Sequence, residues 1–370
     1  MNSIMIVGLG DIGEHVLELL ARTPGISQIY TTDIAEERSL RKIYSTVAGA
    51  RHQGYYPQID FRQLDLTDTQ ATVKYLQDTQ PDVIISSVTM LTWWAPEAAA
   101  SGIDFERLDE AGFGAWLPLH LTLTYNLMKA LKKSGLSIPV VNCSFPDAIN
   151  NILAQADLAP TVGIGNCDLF VPEIERIVAR KFNVSMKSVH VYLVGHHYLC
   201  HVLNSYRSTL DTPYYLRIFV DEKDVTDTFD TDALLVDANT YMPKGVEDHF
   251  IVAASAIKDA LHILFNTNEL TYAPGPEGLP GGYPVRINAE GATVELPEDI
   301  TRTEAININE TSNRLDGIER VEKGGIVVFP EKTVQIMDEM LGYHCEKMTL
   351  EESGERAQEL LAAYKKVMGR

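Results

Sequence analysis

Gly8-Leu9-Gly10-Asp11-Ile12-Gly13 follows the short apolar run Ile4-Met5-Ile6-Val7. It precedes Glu14-His15-Val16-Leu17-Glu18-Leu19-Leu20-Ala21, whose apolar residues recur at helical spacing. A G-x-G-x-x-G placed where a strand turns into a helix is the dinucleotide-binding turn of a Rossmann sheet. Gly8 permits the tight turn, Gly10 leaves room for a pyrophosphate, and Gly13 lets the helix lie close to the strand. Asp11 and Ile12 complete the loop, and its phosphates would meet free N–H groups at the helix N-terminus. A second apolar run, Ile29-Tyr30-Thr31-Thr32, ends at Asp33, twenty residues after Gly13. A carboxylate there accepts both adenosine ribose hydroxyls and repels a 2′-phosphate. The expected cofactor is therefore NAD.

The rest of the first half alternates strands with helices, which predicts a doubly wound parallel sheet. A helix is expected over 35–50, a strand over Ile59–Leu64, a helix over 69–77, and a buried strand at Val83-Ile84-Ile85-Ser86-Ser87. Asp65, just after the third strand, either meets the adenine edge or caps the next helix. Ser86, Ser87 and Thr89 stand at the carboxyl end of the fourth strand, where such sheets bind ligands. The stretch Met90–Leu117, with Trp93, Trp94 and several glycines, is long for a connection and reads as a lid or as a packed insertion. Trp93 and Trp94 are its candidate substrate contacts. A helix over 119–133 and a strand at 138–144 follow. Tyr125 and Lys129 spell Y-x-x-x-K, but on the helix before this strand rather than after it, where a short-chain dehydrogenase would carry the pair.

The chain has 370 residues, enough for two domains, here expected at 1–145 (NAD-binding) and 146–370 (substrate and catalysis). With 51 acidic against 31 basic residues, its net charge of −20 argues against nucleic acid and anionic membranes as partners. No apolar stretch approaches the ~20 residues of a membrane span. The N-terminus enters a strand with no export signal, so a cytoplasmic location is expected. Cys143, Cys167, Cys200 and Cys345 have no metal-type spacing and are expected as free thiols.

The middle of the chain reads Asn142-Cys143-Ser144-Phe145-Pro146-Asp147, then Gly163-Ile164-Gly165-Asn166-Cys167-Asp168. A helix over 173–182, the strand Val189–Val194 and Gly195-His196-His197 follow. In order and context this resembles the lactate/malate dehydrogenase superfamily, with its Asn-Pro-x-Asp, Leu-Asp-x-x-Arg and Gly-Glu-His-Gly segments. The resemblance runs to about residue 330, where Gly278-Leu279-Pro280-Gly281-Gly282-Tyr283-Pro284-Val285 looks like the family's late strand entry. It implies a mixed α+β second domain and an NAD-dependent dehydrogenase interconverting an alcohol and a ketone on a small polar metabolite. Asn142 would contact the nicotinamide or the substrate oxygen, Asp168 would orient the histidine, and His197 would take the hydroxyl proton. An imidazole titrating near neutrality suits that step, and a carboxylate fixes its tautomer. The family's carboxylate-binding Arg falls on Val171, which leaves Arg207 as an alternative anion contact or a surface charge.

The same superfamily includes the family 4 NAD-dependent glycoside hydrolases, which oxidise a sugar transiently and usually need a metal. Their metal Cys is missing from its place here, and on strand alternation His196, His197, Cys200 and His201 point to opposite faces, so no metal is expected. Two rivals to the dehydrogenase reading stand: a glycosidase-like hydrolase or lyase, and a non-catalytic NAD-binding regulatory protein. A homodimer or higher homo-oligomer is expected. Later, Asp221–Ala238 reads as a surface hairpin and turn, 246–265 as an amphipathic helix, 288–295 and 319–330 as hairpins, and Thr349 as the cap of a last helix.

Overall fold

The structure, a computed structural model, describes residues 2–92 and 104–367. Strand β1 (Ser3–Val7), helix α1 (Asp11–Leu20), β2 (Gln28–Asp33), α2 (Glu36–His52), β3 (Ile59–Gln63), α3 (Thr69–Thr79) and β4 (Val83–Ser86) alternate as the sequence predicts. After the short α4 (Phe105–Asp109) come α5 (Leu117–Ser134), β5 (Val140–Asn142), α6 (Pro146–Ala154) and β6 (Val162–Gly163). These strands form one parallel sheet in the order β3-β2-β1-β4-β5-β6. The chain reverses its winding between β1 and β4, and a ligand crevice opens at the carboxyl ends of the strands beside such a reversal.

The second half opens with α7 (Val171–Phe182), β7 (Val189–Val194), α8 (His197–Tyr206), β8 (Tyr215–Val220), β9 (Lys223–Asp224) and α9 (Thr231–Ala238). Then come α10 (His249–Phe265), β10 (Glu269–Pro274), β11 (Gly282–Asn288), β12 (Gly291–Val294) and α11 (Arg302–Leu315). It ends with β13 (Arg320–Glu322), β14 (Ile326–Val328), α12 (Glu331–Leu341), β15 (Lys347–Met348) and α13 (Ser353–Val367). Antiparallel sheets β7-β8-β9 and β10-β11-β12 meet through a bridge between Gly195 and Gly282, and β13-β14-β15 form a third. The expected hairpins at 288–295 and 319–330 are present, whereas the segment expected as hairpin and turn ends in α9, capped by Asp230.

The parallel sheet is covered on both faces. Leu119, Leu127 and Leu131 of α5 share a core with Ile336, Leu360 and Tyr364 from the C-terminal helices, while Val16, Leu17 and Leu20 of α1 share another with Ala253, Ala256 and Ala260 of α10. The sheet, through β6, and the first of these cores both continue across residue 145. Among the described residues no helix is long and apolar enough to cross a membrane.

The glycine turn shows why α1 starts where it does. Gly10 is its N-cap and supplies no side-chain cap, so burial of Val16, Leu17 and Leu20, worth about 1.5–3 kcal/mol each, holds the helix instead. Its first N–H groups are thereby left for a ligand. Gly8 has φ +94°. A Cβ on Gly13 would lie 2.0 Å from the Gly8 carbonyl oxygen, whereas one on Gly10 would meet nothing within 4 Å. Gly13→Ala is therefore expected to cost roughly 1–3 kcal/mol of stability through overpacking, read as a lowered urea midpoint. Gly10→Ala should leave that midpoint in place and weaken dinucleotide binding about tenfold or more, because its methyl fills the approach to the loop backbone.

Candidate active site

A cleft of about 620 Å³ runs along the carboxyl end of the sheet from Asp33 and Asp65 to His197 and Asp316. At one end it is lined by Gly8, Gly10, Asp11 and Ile12. Asp33 accepts from the N–H groups of Leu9 (2.7 Å) and Ala35 (2.7 Å), which pins β2 to the glycine turn. A carboxylate has about four acceptor sites, so two remain for ribose hydroxyls. The Arg38 guanidinium lies 3.7 Å from Asp33 Oδ1. Asp65 lines the cleft and folds its own turn by accepting from Thr67 N and Oγ1; Asp68, three residues on, caps α3. Ser87 and Thr89 line the cleft, with Ser87 Oγ donating to the Gly8 carbonyl at 2.8 Å. Ser86 does not: it is fully buried inside β4, and its Oγ has no partner among the described residues.

At the other end stands His197. The sequence placed it at a strand end; it opens helix α8 instead, with His196 as the N-cap accepting from Tyr198 N. The buried Asp147 carboxylate accepts from His197 N (2.7 Å) and from the Asn166 amide, which locks the start of the helix. The ring Nδ1 lies 2.7 Å from Oδ2 of Asp316, the residue that closes α11. Asp316 is held in turn by the N–H of Phe113 on its Oδ1. With Nδ1 committed, Nε2 is the open nitrogen of the ring. Burial alone would push the His197 pKa down, but the Asp316 carboxylate, with Asp147 and Asp109 behind it, holds it above the ordinary value. Asp316 would be pushed up by burial, yet the facing histidine charge keeps it low. Phe113 and Phe145 pack on the His197 ring at 5.0 and 5.5 Å and dry the site.

Three expectations are corrected by these contacts. Asp168 does not reach His197: its carboxylate accepts from Ser255 and from Lys258 Nζ (2.7 Å), joining α10 to the turn before α7. Asp316, 119 residues from His197, takes that place. Asn142 is fully buried and spent on Ser144 and Asn150, bracing the turn after β5 rather than facing the cleft. Arg207 lies outside the cleft, with its guanidinium on the carbonyl of Asn239. Tyr125 and Lys129 also stay outside, stacked on each other beside the last helix. Trp93 and Trp94 lie outside the described residues, as does the rest of 93–103 within the expected lid.

Sequence reasoning missed Asp316, Asp109 and His120. Asp109 of α4 meets His201 Nε2 at 3.2 Å. His120 lies near Thr89 Oγ1, and burial pushes its pKa down to about 3, so its imidazole is neutral. A capping box, Thr301 with Glu304, announces the helix that Asp316 ends and was the available signal. Among the described residues no group of three His, Cys, Asp or Glu is arranged to hold a metal. His196 is buried as a cap and His201 is paired with Asp109, so the cluster seen in the sequence does not converge.

No family model matches the chain, and no curated protein matches it. Solved structures do. The malate dehydrogenase of Plasmodium falciparum superposes at TM-score 0.56 and 15% identity, over 99% of this chain and 100% of that one. The lactate dehydrogenase of Cryptosporidium parvum, complexed with lactic acid and nicotinamide adenine dinucleotide, superposes at 0.57 and 16%, over 85% and 96%. A lactate dehydrogenase from a Medee basin deep-sea metagenome library gives 0.56 and 13%, over 85% and 96%. The chain has the lactate/malate dehydrogenase fold, with the Rossmann sheet and mixed second half that the sequence led us to expect.

Proposed function

We propose that the protein is an NAD-dependent oxidoreductase interconverting an alcohol and a ketone, with His197 as proton acceptor and donor and Asp316 as the carboxylate that orients it. The observation that carries this reading is one continuous cleft joining the glycine turn to the His197–Asp316 pair. The residues present fit the cofactor: Gly10 leaves the loop backbone open, α1 has no side-chain cap, and Asp33 keeps acceptor capacity. Bound NAD would supply the hydride acceptor. His197 Nε2 takes the proton of the substrate hydroxyl as the carbinol carbon loses hydride, and Asp316 stabilises the imidazolium that results. The two aromatic rings exclude water from the ring nitrogen.

The test is to titrate NAD and NADP, then follow NADH absorbance with a panel of alcohols, hydroxy acids and sugars. NAD should bind more tightly than NADP, because Asp33 sets like charge against a 2′-phosphate. Asp33→Ala should narrow that gap, since it leaves the neighbouring Arg38 free to meet the phosphate. Equal binding of the two cofactors to the wild type would remove Asp33 from this role. Binding of neither would end the oxidoreductase reading.

A further inference from the structure

Besides Asp11, Asp33 and Asp65 around the glycine turn, three carboxylates line the cleft: Asp109, Asp316 and Asp248. The first two face histidines, His201 and His197. Asp248, at the end of the turn Gly245–Asp248 that leads into α10, has no such partner. It lines the cleft, is 7% exposed, and forms no hydrogen bond or ion pair with any described residue. A desolvated carboxylate without a donor is costly unless it protonates or a ligand completes it. Its pKa, pushed up to about 7 by burial alone, expresses that cost.

A second unpaired acceptor lies on the same wall. Asn204 shares a face of α8 with His197 and His201, at positions i+7, i and i+4, and all three line the cleft. Among the described residues its Oδ1 is buried without a partner, and its Nδ2 reaches only the Cys200 sulfur at 3.8 Å. The turn that carries Asp248 is tied to this helix, because Lys244, which opens it, donates to the Asn204 carbonyl at 2.8 Å.

Among the described residues anion recognition has no equivalent equipment. Val171 is apolar and buried, Arg207 is outside, and among the described residues no arginine lines this end. Lys244 lines the rim, exposed, with its ammonium donated to the Asn204 carbonyl. An anion brought in would meet Asp248 as like charge; a cation would complete it.

We propose that the substrate carries, besides the hydroxyl offered to His197, a protonated amino group that is received by Asp248 and Asn204. This rests on the oxidoreductase reading for the hydroxyl but not for the cation, and the two are tested separately. The NADH-loaded full chain is titrated by calorimetry with three secondary alcohols alike except in charge: 1-amino-2-propanol, 1,2-propanediol and lactate. The same trio lengthened by a propylene spacer removes any assumption about the reach from carbinol to charge. The amine of one length is expected to bind at least about tenfold more tightly than its neutral and anionic counterparts. Asp248→Asn should abolish that preference while NADH affinity is retained. Asn204→Leu should weaken it and serves as the second variant if Asp248→Asn does not fold, as judged by thermal melting.

Lactate binding as well as the amine overturns the proposal, as does a preference that survives both substitutions or the absence of binding by all six alcohols. An equal loss of NADH affinity in Asp248→Asn also overturns it, because the carboxylate would then belong to the cofactor. Amine binding with no NADH formed from NAD leaves the cation site standing and removes the oxidoreductase reading instead.

Discussion

Replacing His197 by Asn is expected to lower turnover by ~10²–10⁴, the usual worth of a positioned acid–base group, with NAD affinity nearly unchanged. In the proposed reading the cofactor's phosphates belong to the glycine turn, and His197 forms no hydrogen bond or ion pair with those residues. Asn keeps some polarity and still leaves Asp147 its backbone N–H, so the start of α8 survives. The neighbour supplies the control. His196 is fully buried and does not line the cleft; it caps α8, which Asn also does well, and its Nδ1 lies 3.7 Å from Asp316 Oδ2, well beyond the 2.7 Å of His197. His196→Asn should lower stability through lost packing while the folded protein keeps its turnover within a few-fold. If His196→Asn abolishes turnover and His197→Asn does not, the two histidines have been given each other's roles. Full activity in both removes the imidazole from the reaction.

Asp316→Asn should lower turnover on the order of 10²-fold or more, because an amide neither fixes the ring tautomer nor stabilises the imidazolium. It also carries a signature in pH. Alcohol oxidation needs the neutral imidazole, so its rate rises as pH climbs through the His197 pKa. In the wild type burial lowers that pKa but Asp316, with Asp147 and Asp109 behind it, more than restores it, and the rise falls above the ordinary histidine value of about 6.5. Without the carboxylate, burial dominates and the rise should move to lower pH. A profile that stays in place would mean that Asp316 does not govern this ring. Asp168→Asn makes the opposite case: its carboxylate meets Lys258 and Ser255, so the profile should stay and the folding midpoint should fall. Removing one partner of a buried pair costs about 3 kcal/mol or more, and Lys258, 26% exposed at its side chain, places the loss at the low end.

The glycine-turn end of the proposed site was legible in the sequence because it is local. Gly8, Gly10, Gly13 and Asp33 lie within 26 consecutive residues, and each answers to the backbone of one strand, one turn and one helix. The parallel sheet followed from the same alternation, since a strand and a helix of this length leave no other way to bury both faces. His197 was found by order along the chain, but its setting was not. After the β-prone run Val189–Val194 nothing obvious marks a helix start, because histidine is an unusual N-cap and the usual Ser, Thr, Asp or Asn is absent.

The histidine end was decided by tertiary structure. The carboxylate facing His197 comes from the end of α11, brought there as Phe113 and Gly114 bind the Asp316 side chain and backbone. No spacing rule relates positions 197 and 316, whereas Asp168 stood at a familiar spacing and was used elsewhere, to neutralise a half-buried lysine of α10. Asp248 and Asn204 are likewise ordinary polar residues in the sequence. Only packing shows that neither finds a donor among the described residues, because whether a buried acceptor is satisfied depends on every element that closes around it.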